Sequence, residues 1–143
     1  MFNPSRDQVR QFFFDVWSKF RTGQVLSGAE QSALEAILAH PEYHVMLDNP
    51  ARYLQRDYAP ELGETNPFLH LSMHLSIAEQ VLIDQPAGIR ARYQQLLVQR
   101  GDAMQDQHAV MDCLAEMIWQ AQRSGADYDP VAYLQCLDGK RGQ

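Results

Sequence analysis

The feature that most constrains this chain is its helix punctuation. Ser5 with Gln8, and Ser27 with Glu30, both carry the spacing in which side chain and backbone cap each other at a helix N-terminus. Gly23 and Gly125 stand where two of the helices should stop. Prolines 41, 67, 86 and 130 suit a first helical turn. Apolar residues recur at helical spacing between these signals, as in Val9, Phe12, Phe13, Val16, Trp17 and Phe20. The predicted helices span about 5–22, 27–40, 41–47, 66–83, 86–101, 102–123 and 130–137.

Residues 48–66 interrupt the series with Asn49-Pro50, Ala59-Pro60 and Leu62-Gly63. They are expected to form an irregular loop, with Tyr53 and Leu54 pointing to one short helix inside it. The tail 139–143 is expected to fray. No alternating strand pattern of useful length and no repeat is present. The expected fold is therefore all-α, a compact helical bundle of five to seven helices, with residues 1–143 as one domain.

Composition narrows the partners. The chain has 143 residues, 45% of them hydrophobic and 21% charged, which places it among globular proteins and away from disordered ones. A net charge of −6 disfavours polyphosphate and anionic membranes, so nucleic-acid binding would need a segregated basic patch. The densest basic cluster, Arg90, Arg92 and Arg100, reads as a solvated helix face. No run is long and apolar enough to span a bilayer, and no signal core opens the chain. The expectation is a soluble cytoplasmic protein. Cys113 and Cys136 fit no metal or disulfide spacing and are expected as reduced thiols, Cys113 inert in a helix interior.

The residues with chemical potential are the five histidines. On a helix His70 and His74 lie about 40° apart, on the side of the apolar residues, with Ser72, Ser76 and Glu79 opposite. Both rings should face inward. Buried imidazoles need partners for both ring nitrogens, and two neighbours cannot both be protonated cheaply. Hydrogen bonds to carboxylates or backbone are one solution; a shared metal ion is the other. Two histidines at i and i+4 form a half-site for zinc or iron that a carboxylate from another helix can complete. His108, Asp112 and Glu116 recur every fourth residue on the longest helix and supply those ligand types. Glu116 has an alternative partner in Gln120 or Arg123. His40 and His44 repeat the spacing, but Pro41 interrupts the helix between them.

Sharper signatures are missing. The chain has no HExxH, no Glu-x-x-His, no Gly-rich phosphate loop and no GxSxG. The stretches HPEYH (40–44), TNPFLHLSMHLSIAEQ (65–80), DQPAGIR (84–90) and HAVMDCLAEMIWQAQRSG (108–125) resemble the bacterial family called domain of unknown function 1841, over nearly the whole chain. That resemblance implies a compact helical protein of about this length and no established activity.

Two functions are compatible with these residues. In the first, His70, His74, His108, Glu116 and Asp112 build a buried site for a metal, zinc first, then iron or manganese. In the second, the histidines only stiffen the core of a non-catalytic interaction module, and Phe12, Phe13, Phe14 and Trp17 serve a second copy of the chain or a protein partner.

Overall fold

The computed structural model of the protein describes residues 5–59, 63–100, 102–127 and 129–140. Its helices are α1 (Arg6–Arg21), α2 (Gly28–Leu38), α3 (His44–Leu47), α4 (Pro50–Tyr53), α5 (Pro67–Ile83), α6 (Ile89–Arg100), α7 (Ala103–Ser124) and α8 (Pro130–Lys140), with a 3-10 turn at Pro41–Tyr43 before α3. Among the described residues there is no strand, so the fold is all-α. Among the described residues there are eight α-helices against the expected five to seven, the eighth being α4, the short helix that Tyr53 and Leu54 pointed to inside the loop.

The punctuation operates largely as its chemistry demands. Ser5 Oγ accepts from Gln8 N at 3.2 Å while Gln8 Oε1 accepts from Ser5 N at 2.8 Å. Glu30 Oε1 accepts from Ser27 N at the start of α2. Asn66 Oδ1 accepts from Phe68 N and Leu69 N, and so caps α5. Asp102 does the same for Met104 and Gln105 at the head of α7, which ends on Gly125 at φ 74°. Helix α6 begins later than Pro86 because Asp84 reaches forward and accepts from Gly88 N and Arg90 N. Helix α8 continues to Lys140, into the tail expected to fray. Pro60, Leu62, Gly101 and residues 141–143, all used as signals above, lie outside the described residues.

The chain divides into two units, Met1–Leu75 and Ser76–Gln143. In the first, α1 packs on α2 and α3, and the core gathers Phe13, Phe14, Val16 and Trp17 with Ile37, Leu47, Phe68 and Leu71. Each such side chain contributes roughly 1.5–3 kcal/mol on burial. The aromatic wrap of α1 is therefore explained by this core: Phe13, Phe14 and Trp17 are buried and Phe12 packs beside them. Trp17 Nε1 donates to Asp48 Oδ1 at 2.7 Å. Arg10 is buried as well, its Nη1 donating to the carbonyls of Leu54 and Arg56. That guanidinium ties α1 to the loop after α4.

In the second unit α6, α7 and α8 pack on one another around Ile89, Leu96, Val110, Leu114, Tyr133 and Leu137. Arg90 donates to the carbonyls of Val81 and Leu82 at the end of α5, and Arg92 pairs with Asp138 at 3.0 Å. Two members of the basic cluster thus hold helix ends and helix pairs in place. Cys113 and Cys136 correct the expectation of reduced thiols: they form a disulfide between α7 and α8. Packing of those helices brings the two Cα atoms to 5.8 Å, within disulfide reach, and a separation of 23 residues conceals that proximity in the sequence. The thiol argument for a cytoplasmic location falls with it. No helix of the described residues is long and apolar enough to cross a membrane.

Candidate metal centre

The site grows from the end of α2. Pro41 forces His40 out of the helical region, to φ −125° and ψ 69°, so α2 stops and the His40 ring turns back over its last turn. There the terminal carbonyls lack intrahelical partners. His40 Nδ1–H donates to Ala36 O at 2.7 Å, and His44 Nε2–H donates to Ile37 O at 2.9 Å. Two imidazoles therefore cap one helix. Their fates then diverge. The His44 ring stacks on Trp17, with centroids 4.5 Å apart, and its Nε2 is consumed by the carbonyl. For His40 the bond to Ala36 O places a hydrogen on Nδ1, so that in the neutral ring the lone pair lies on Nε2.

That lone pair faces α5. His70 and His74 stand one helical turn apart, His74 buried and His70 half-buried, while Ser76 and Glu79 are exposed. His70 Nε2 lies 3.1 Å from His40 Nε2, and His74 Nε2 lies 3.1 Å from His70 Nε2. The ring centroids of His40 and His74 are 4.9 Å apart. Three Nε2 atoms from two segments thus meet at one point.

Proton counting decides what such a point can do. A ring nitrogen carries either one hydrogen or one lone pair in the ring plane. His70 Nε2 can make one linear hydrogen bond, yet it faces two nitrogens at the same distance. A cation at the centre accepts all three lone pairs at once. Zinc–imidazole bonds of about 2.0–2.1 Å in a tetrahedron separate neighbouring nitrogens by roughly 3.3 Å. The observed 3.1 Å spacings lie close to that edge. The C-terminal end of α2 adds the negative pole of its dipole beside His40, which favours positive charge there.

The surroundings are aromatic. Tyr43 lies parallel to His40 at 5.3 Å and edge-on to His70 at 6.1 Å. Burial pushes its phenol above the ordinary value, and the charge of Glu42 adds to this. Tyr43 also forms one wall of an open cleft of about 610 Å³.

A family model described as a domain of unknown function, DUF1841, matches residues 5–139. The chain belongs to this family. No curated protein and no solved structure matches it. For this DUF1841 chain the chemistry must accordingly be read from its own side chains.

Of the site residues expected from sequence, His70 and His74 come together as described. His108 sits half-buried on α7 in the second unit. Asp112 and Glu116 are exposed. Asp112 faces Lys140 of α8 at 3.7 Å, and Glu116 accepts from Gln120 at 2.9 Å, the alternative that its i,i+4 spacing had offered. The drift of about 40° per four residues carries both carboxylates away from the buried stripe of Val110, Leu114 and Met117. Neither belongs to the group of described residues that could hold an ion. Sequence reasoning undervalued His40, because it tested the pair with His44 against a helical period that Pro41 breaks. The signal was the His-Pro step itself, which places a ring at a helix end short of donors. Asp106, fully buried in the first turn of α7, went unnoticed although it stands one turn before Val110 on the buried stripe, because an acidic residue at a helix start reads as a first-turn charge.

Proposed function

We propose that this protein binds one divalent transition-metal ion through imidazole, with His40, His70, His74 and His108 as its ligands. The observation that carries the proposal is the convergence of three Nε2 atoms in the first unit, with the bond at His40 Nδ1 leaving the Nε2 lone pair of the neutral ring to a metal. His108 is proposed as the fourth ligand from its place in the sequence of the long helix. An all-imidazole set suits zinc, then iron, and puts manganese last, because manganese favours oxygen ligands. Asp112 and Glu116 stay outside the proposal. An ion with an open position would polarise a bound water or substrate oxygen.

The competing reading keeps the histidines as structural groups, and the two rings that cap α2 support it. Elemental analysis of protein purified without a histidine tag separates the two. Stoichiometric metal that disappears in the His70→Ala/His74→Ala double variant is the expected result. Metal-free protein whose stability is unchanged by added zinc or iron would overturn the proposal.

A further inference from the structure

The cleft beside Tyr43 has a chemistry of its own. Its lining includes Glu42, Tyr43, Tyr53, Arg56, Tyr58 and Glu64, and its volume of about 610 Å³ suits a small organic ligand. The Arg56 guanidinium lies over the Tyr58 ring at 4.7 Å and near the Tyr53 ring at 5.9 Å. Among the described residues no carboxylate forms an ion pair with it. Rings on its flanks hold the guanidinium in place, so its planar fork is ordered in advance for a carboxylate.

A second cation stands close to the Tyr58 ring. Arg10 also stands over the Tyr58 ring, at 5.7 Å, and is held by backbone carbonyls with no carboxylate partner. Burial lowers the Arg10 pKa, and the neighbouring charge of Arg6 adds to this, against the opposing pull of Asp57 and Asp7. Of the two acidic residues, both exposed, Glu64 accepts from Ala59 N at 3.1 Å. Arg56 is thus the cation of a lining that also holds Glu42 and Glu64, and its fit to a ligand carboxylate rests on the Tyr53 and Tyr58 rings beside it.

We propose that this cleft binds a small aromatic carboxylate, its carboxylate forked on Arg56 and its ring against Tyr53 and Tyr58. Tyr43 is the wall shared with His40 and His70, so the ligand would lie one side chain from the imidazole cluster. Carboxylate recognition stands apart from the metal reading; only its coupling to an ion rests on that reading.

Calorimetric titration of the metal-free full chain with benzoate, benzamide and benzylammonium tests the proposal. Benzoate should bind saturably, with benzamide weaker by about tenfold or more, the scale of a charge-assisted hydrogen bond. Arg56→Gln should lose benzoate binding by a similar factor, and Arg56→Lys should restore little of it, because an ammonium cannot fork. Arg56 is exposed, so both variants should fold. The His70→Ala/His74→Ala variant should bind benzoate normally, which keeps this proposal separate from the fate of the metal. Absent saturation, equal binding of benzoate and benzamide, unchanged binding in Arg56→Gln, or tightest binding of benzylammonium would each overturn it.

Discussion

At the scale of single residues, His40 and His44 show how little spacing says once a proline intervenes. Both cap α2, yet one directs its Nε2 at His70 of α5 and the other spends its Nε2 on Ile37 and its ring on Trp17. Replacing His40 by Ala should weaken zinc binding on the order of 100-fold, at least what loss of an outer-shell partner costs. His44→Ala should leave metal content unchanged and destabilise the fold by about 1 kcal/mol, through the lost hydrogen bond and stack. Equal effects of the two variants in a zinc competition assay would remove the distinction. Asp84 supports a second prediction. The backbone N–H of Arg90, and then that of Gly88, hold its carboxyl below the usual range. A depressed folded pKa means that Asp84 stabilises above the unfolded value of about 3.9, and that this contribution fades as pH falls through the folded value. Asp84→Asn should therefore be less stable than the parent at pH 7, with the gap closing in acid. Urea midpoints across that range would show it, and a gap independent of pH would contradict the assignment.

At the scale of elements, helix boundaries were legible because caps are local. Ser5, Asn66 and Asp102 accept from orphan amides within three residues, Glu30 accepts from Ser27 N over the same distance, and that short reach is visible in sequence. Helix α6 is the exception, since its cap, Asp84, acts across a turn. Relations between helices were hidden. The α7–α8 disulfide closes a loop of 23 residues, for which the chain-entropy model assigns about 3 kcal/mol. Reduction under native conditions should lower the unfolding free energy by that order, and Cys113→Ser/Cys136→Ser should do likewise. An unchanged denaturation midpoint after reduction would show that α8 is held by Tyr133, Leu137 and the Arg92–Asp138 pair alone.

At the scale of the whole molecule, metal and stability are linked. An ion that binds only the folded chain adds about 2.7 kcal/mol at a free concentration one hundred times its Kd. Zinc should raise the thermal midpoint of the parent and leave the His70→Ala/His74→Ala variant unmoved. A shift shared by both proteins would indicate surface binding. The sequence by itself determined the all-α class, most helix limits and the inward pair on α5, because caps, proline geometry and the 3.6-residue period all act within a few residues of their source. Only the tertiary structure decided that His40 joins that pair, that Asp112 and Glu116 turn outward, that the cysteines are bonded, and that the aromatic face of α1 is core. Each of these depends on which distant segment a side chain meets, and packing, a sum of many weak contacts, leaves no mark at fixed spacing in the chain.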